Sequence, residues 1–168
     1  MLMDAIRLLL FPTLMAFAAS SDLLTMTISN WISLALFGGF FVLALATDMS
    51  AAELATHIGA GFLVLALTFG CFVRGWVGGG DAKLAAATAL WLGFDELLDY
   101  LLCASLLGGV LTFLIMRFRV YPLPYALARR EWIVQLHRID AGIPYGIAFA
   151  LAALIIYPNT IWMKTWGP

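Results

Sequence analysis

Two carboxylates stand out of an otherwise apolar chain as groups able to do chemistry. One is Asp81, in Gly78-Gly79-Gly80-Asp81-Ala82-Lys83-Leu84; the other is Asp22, in Ser20-Ser21-Asp22-Leu23-Leu24-Thr25-Met26-Thr27-Ile28-Ser29-Asn30-Trp31. Three glycines allow a tight turn free of side chains, with the acid at its exit. Apolar runs flank the motif, Leu54 to Val73 before it and Leu84 to Phe94 after it. An acid in such surroundings is costly and marks a functional site. Asp81 alone reads first as a helix cap, for which Asp is favoured. A partner acid is what changes that reading.

Two close carboxylates cannot both ionise cheaply, so they share a proton and titrate in two separated steps. The ionised member takes a proton from water while the protonated member polarises a scissile carbonyl. A membrane setting strengthens both effects by lowering the local dielectric. Peptide hydrolysis by this route needs no metal and no cofactor. His57 and His137 are predicted on opposite sides of a membrane, which disfavours a serine or cysteine protease built on both. Cys71 and Cys103 lie in apolar runs, outside any C-x-x-C and with no His at ligand spacing. They read as small buried apolar residues, not as zinc ligands or a disulfide.

The elements that must position these acids are membrane helices. Of 168 residues, 64% are hydrophobic and 11% charged, and the mean hydropathy is +1.00. A soluble domain is nearer half apolar and a quarter charged. The expected fold is therefore all-α: one polytopic membrane domain over residues 1–168, with no separate soluble domain. A net charge of −1 argues against nucleic-acid binding. Six apolar runs are expected to span: Leu8 to Ala19, Trp31 to Ala46, Leu54 to Val73, Leu84 to Phe94, Tyr100 to Met116 and Ile143 to Tyr157. The first, with Arg7 before it and Ala16-Phe17-Ala18 as a cleavage-like site, resembles a signal peptide. It is expected to be retained, because the downstream chain is itself membrane-spanning. A perpendicular span needs about 20 apolar residues, which only the third run meets. The fourth, at about 1.5 Å per residue, crosses little more than half the bilayer core. A short span starting at Asp81 brings water and polar backbone deep, where hydrolysis needs them.

Basic residues set the orientation. The first, third and fifth connections hold seven, Arg74, Lys83, Arg117, Arg119, Arg129, Arg130 and Arg138, against only Arg7 and Lys164 elsewhere. Those three connections are expected in the cytosol and both termini outside. Asp48, Glu53, Asp95, Glu96 and Asp99 then read as hydrated charge of the outer connections. Asp22 and Asp81 share the inner side and meet if spans one and four are neighbours. The fifth connection, Arg117 to Gly142, is broken early by Pro122 and Pro124. It is expected to hold a helical piece near Tyr125 to Arg138, whose arginines suit anionic lipid or substrate. Trp31, Trp76 and Trp91 read as interface anchors. His57, near the outer end of span three, reads as a hydrated or hydrogen-bonded structural residue.

Three segments resemble one family. Gly78 to Leu84 matches the G-x-G-D-x-K-L signature of type IV prepilin peptidases. Asp22 followed by Ile28-Ser29-Asn30 resembles that family's first catalytic Asp followed by I-P-N. Ile143-Pro144-Tyr145-Gly146-Ile147-Ala148-Phe149-Ala150 resembles the P-Y-G-x-A segment of its last span. The resemblance implies an inner-membrane aspartic endopeptidase, with Asp22 and Asp81 catalytic and no cofactor. It implies Asn30, Gly78, Gly80, Lys83, Pro144, Tyr145 and Gly146 as motif or substrate-binding residues. Its substrates would be prepilins and pseudopilins, cut on the cytosolic side between a basic leader and a hydrophobic helix. Membrane lipids would be its other partners. Larger members carry a cysteine-containing cytosolic region and N-methylate the new terminus. This chain resembles the minimal Flp/Tad-type form, so methyltransferase activity is not expected.

The chain departs from that pattern at Ser29, which replaces the usual Pro, and in lacking basic residues between Asp22 and Asn30. Pro restricts the residue before it, so a looser connection is expected here. Three rival readings follow from the same residues. One is a related G-x-G-D protease acting on archaeal-type preflagellins. Another is a silent scaffold of a pilus or secretion assembly, in which Asp81 merely caps span four. The third, a transporter with a proton relay, is disfavoured because both acids lie near one face and not at mid-membrane.

Overall fold

The computed structural model describes residues 2–164, with side chains for residues 6–163. The Lys164 side chain counted above lies outside that set. The chain folds as α1 (Leu2–Thr25), α2 (Asn30–Ala46), α3 (Ala51–Val73), α4 (Gly79–Leu92), α5 (Leu97–Val120), α6 (Glu131–His137) and α7 (Tyr145–Ile156). A single 3₁₀ turn (Tyr157–Asn159) and a short α8 (Ile161–Lys164) complete it. No strand occurs among the described residues, in line with the all-α expectation.

Each of the six apolar runs marks one helix, although Gly93 and Phe94 lie past α4 and Ile143, Pro144 and Tyr157 lie outside α7. Three helices are long and apolar enough to cross a membrane: Ile6–Thr25, Ala51–Val73 and Leu97–Val120. Asn30–Ala46 and Tyr145–Asn159 are apolar but shorter. α4 has only 14 residues, close to the short fourth element that was expected.

The helices that face the outside explain the composition. Leu45, Phe62, Leu106 and Val73 are 69–78% exposed. Apolar surface on this scale is unusual for a water-soluble monomer and suits contact with lipid. The interior belongs to α4, where every residue from Leu84 to Leu92 is buried. Four of these are alanines, and small residues let neighbouring helices approach closely, which is how helices associate in lipid. α2, α3 and α7 all pack on α4, while α1 packs on α2 and α7, and α5 on α7.

Direction reverses at each connection, so the fold has two chemically different ends. One end is closed by aromatic residues. Phe11 stacks on Tyr157 at 4.5 Å and Trp91 lies 5.4 Å from Trp162. Trp91 Nε1 donates to Leu36 O at 2.8 Å and Trp162 Nε1 to Trp91 O at 2.7 Å. His57 Nδ1 lies 2.8 Å from Leu90 O, so it is the hydrogen-bonded structural residue that was expected. Trp91 corrects an expectation. It is fully buried, because its indole N–H finds a carbonyl inside the protein and needs no headgroup region. Trp31 and Trp76 are exposed.

Three boundaries also differ from the expectation. α5 runs to Val120, so Arg117 and Arg119 are in its last turn and not in the fifth connection. α1 runs through Thr25, which puts Asp22 in its last helical turns and not in a connection. Ser20 Oγ donates to Ala16 O at 2.8 Å and Thr25 Oγ1 to Ser21 O at 2.7 Å. These bonds to carbonyls one turn back keep the polar residues helical. In the fifth connection the helix begins only at Glu131. The N–H groups of Leu127 and Ala128 close turns on Pro124 O instead.

Candidate active site

The second end gathers the C-terminus of α1 and the N-termini of α2, α4 and α7. Asp22 is 5% exposed, and a carboxylate so buried needs compensating hydrogen bonds. Its Oδ2 accepts from Gly146 N at 2.7 Å, a contact between residues 124 apart. Gly146 is the second residue of α7, whose first-turn N–H groups lack helical partners. The acid therefore takes an orphan donor at the positive end of a helix, where negative charge is stabilised.

Only glycine fits there. A Cβ at 146 would lie 2.7 Å from Asp22 Oδ2 and 2.7 Å from Ile28 Cδ1. Pro144 precedes it, buried, at the N-cap of α7. Tyr145 fixes the same turn from the other side, with its hydroxyl 3.1 Å from Thr112 Oγ1 on α5. Thr112 Oγ1 itself donates to Gly108 O at 2.8 Å, so Tyr145 is the donor between the two hydroxyls.

Asp81 is the third residue of α4, half-buried, with Gly78 as the N-cap. Its carboxylate turns back toward Gly78, with Oδ2 3.0 Å from where a Cβ at Gly78 would lie. Asp81 is therefore in the first turn of α4 but is not its cap residue, which is Gly78. Capping does not account for its neighbour, since Asp81 also lies within electrostatic range of Asp22. Ile28 packs between the helix starts at Gly80 and Gly146. A Cβ at Gly80 would lie 3.2 Å from Ile28 Cβ, so the start of α4 rests on the residue that also touches Gly146.

Lys83 and Asn30 meet as well: Lys83 Nζ donates to Asn30 Oδ1 at 2.8 Å. That bond ties α4 to the first residue of α2. All nine site residues named from the sequence therefore lie at this end. The sequence reading missed Ile28 as the contact between the starts of α4 and α7, although it stood in the quoted Ile28-Ser29-Asn30. It also missed Arg119, in the last turn of α5. Arg119 Nε donates to Leu136 O at 2.9 Å and a terminal nitrogen to Gly142 O at 2.7 Å. A guanidinium just before a long connection is the signal that points to such a clamp. Tyr100 was missed too. It is fully buried beside Thr88, within electrostatic range of Asp81, and its hydroxyl has no hydrogen-bond partner among the described residues.

Ser29 is the N-cap of α2 at φ −63° and ψ 133°, values a proline adopts freely. The backbone keeps the proline conformation without the proline. The connection is tightened elsewhere, by Ser21 Oγ donating to Thr27 O at 2.8 Å. Among the described residues no group of three or more His, Cys, Asp or Glu is arranged to hold a metal ion. Cys71 and Cys103 are free.

No curated protein and no solved structure matches the chain. The model of the type IV leader peptidase family matches residues 9–113, well over half of the sequence. That stretch contains both acids and the glycine motif but ends before Pro144-Tyr145-Gly146, whose place beside Asp22 is seen only in the fold. With a match of this extent, the chain belongs to the type IV leader peptidase family, a family of peptidases.

Proposed function

We propose that the chain is a membrane aspartic endopeptidase. It removes the basic leader of type IV prepilins of the Flp type, just ahead of their hydrophobic helix, at the cytoplasmic face of the inner membrane. The observation that carries the reading is the convergence of Asp22 and Asp81, from separate helices, at one end of an apolar bundle. Water held between them loses a proton to the ionised carboxylate as it attacks the scissile carbonyl. The protonated carboxyl donates to the carbonyl oxygen, and the proton then passes to the leaving amine. Gly146 N–H keeps Asp22 oriented. In this reading α1 to α5 and α7 are six spans with both termini outside, and the short α4 and α7 let water reach the acids.

The test is cleavage of a co-expressed prepilin by wild type, Asp22→Asn and Asp81→Asn. Each variant is expected to accumulate in the membrane and to lose at least about 10²-fold in rate. Cleavage that survives either change would favour the silent-scaffold reading or a different active site.

A further inference from the structure

A groove of about 540 Å³ opens on the flank of the bundle. Its walls are α2, through Leu34, Phe37 and Phe41, and α3, through Ile58, Phe62 and Leu65. Its floor is α4, at Ala86, Ala87 and Leu90. α2 and α3 both pack on α4 but scarcely on each other, so the groove faces sideways, toward lipid in the proposed topology. It is lined almost wholly by apolar atoms except at one end, where Asn30 and Lys83 stand. That end is the end of the bundle that holds the two acids: along α4 Lys83 lies only about 3 Å beyond Asp81, on the other side of the helix.

We infer that this groove seats the apolar helix that follows the scissile bond, with the N-terminus of that helix at Asn30 and Lys83. The inference rests on the leader-peptidase reading and adds where the substrate is held. Between Asn30 and Phe41 the wall runs about 16 Å at 1.5 Å per residue, or three helical turns. The volume is too small to enclose a helix of about 10 Å diameter and large enough for one face of it. Alanines on the floor allow close backbone approach, the usual device for helix pairing in lipid. At the polar end Asn30, not the Lys83 ammonium, offers what a helix start requires. The first N–H groups of any helix lack internal acceptors. Asn30 Oδ1 holds one bond from Lys83 and has a second lone pair to offer. Upstream of Asn30 the occupant is free to unwind, and an extended strand from there crosses the first turn of α4 to reach Asp81 and Asp22.

The competing occupant is a phospholipid acyl chain, with its headgroup at Lys83. A second cleft, of about 390 Å³, lies between α5 and α7 near Ser105 and Tyr145 and is the alternative seat for the substrate. A photo-crosslinking residue distinguishes all three. It is placed at Leu34 or Phe62, which are 63% and 72% exposed, or at Ser105, in full-length enzyme carrying Asp81→Asn and co-expressed with prepilin. Prepilin adducts are expected from Leu34 and Phe62 and none from Ser105. Adducts to phospholipid alone, or prepilin adducts from Ser105 alone, overturn the inference.

Kinetics on otherwise wild-type enzyme give a second measurement. Leu34→Trp narrows the groove from an exposed wall, and Ala87→Leu fills its floor. Each is expected to raise KM for prepilin about tenfold with kcat unchanged. A short leader peptide cut short after the scissile bond, with no apolar helix, is expected to be cleaved as by wild type. Equal KM values for prepilin in wild type and Leu34→Trp would count against the groove. Cleavage of the short peptide that did not depend on Asp22 and Asp81 would instead remove the catalytic reading, so the two failures are distinguishable.

Discussion

Gly146 shows how little room the chemistry leaves. A methyl at this position would meet Asp22 Oδ2 and Ile28 Cδ1, each at 2.7 Å. Gly146→Ala must therefore push Asp22 off the Gly146 N–H or push Ile28 off Gly80. Overpacking of this kind costs about 1–3 kcal/mol, and the lost N–H adds misorientation of the acid. Prepilin cleavage by Gly146→Ala is expected to fall at least tenfold, on the scale of a lost orienting hydrogen bond. A rate equal to wild type at equal membrane abundance would show that Asp22 does not depend on α7. Ser29 makes the opposite case. Its φ of −63° already suits proline, and its N–H makes no hydrogen bond among the described residues. Ser29→Pro is expected to be neutral or to stabilise by about 0.4–1 kcal/mol through the unfolded chain, with activity retained. Thermal unfolding in detergent measures this, and a clear drop in Tm would mean that the connection needs its freedom.

α7 can serve Asp22 only if its first turn is held, and the connection before it is long. Arg119 supplies the hold: its guanidinium bonds Leu136 O and Gly142 O, tying α6 and the approach to Pro144 onto the end of α5. A planar fork makes both bonds at once, which a lysine cannot reproduce. Arg119→Gln is expected to lower kcat about tenfold with KM for prepilin little changed, because the residue touches neither the acids nor the α2–α3 groove. Arg119→Lys is expected to recover part of that loss. A KM effect without a kcat effect would place Arg119 in substrate binding instead. At this scale the sequence was legible only in part. Apolar runs located every long helix, because burial in lipid needs little else. Run length did not locate the end of α1, since Ser20 and Thr25 satisfy their hydroxyls inside the helix. Nor did the pattern separate Trp91 from Trp31 and Trp76. An indole near a helix end looks the same whether its N–H meets a headgroup or, as here, Leu36 O.

Across the whole molecule, the motifs were readable as pieces but not as an arrangement. Gly78 to Leu84 and Asp22 named the chemistry, yet the bond from Gly146 to Asp22 joins residues 124 apart and leaves no local trace. What the arrangement predicts is a polarity of the whole bundle. A pair in which one acid must be protonated and the other ionised works only between its two titration steps. At low pH both are protonated and no base remains; at high pH both are ionised and no acid remains. Cleavage is therefore expected to follow a bell-shaped pH profile, and a rate that simply rose with pH would mean that no protonated carboxyl takes part. The same polarity must show in the membrane. The connections at Thr27 and Leu127 lie at the end that holds the acids, and Asp95 lies at the aromatic end. With Cys71 and Cys103 replaced by alanine, single cysteines at 27 and 127 are expected to react only after the inner face is opened to a membrane-impermeant maleimide, whereas a cysteine at 95 reacts in intact cells. The excess of basic residues at the acid end sets that direction. Labelling of 27 and 95 from one side would mean that the intervening helices do not cross in alternation, and the two acids would then no longer be at the face where leaders emerge.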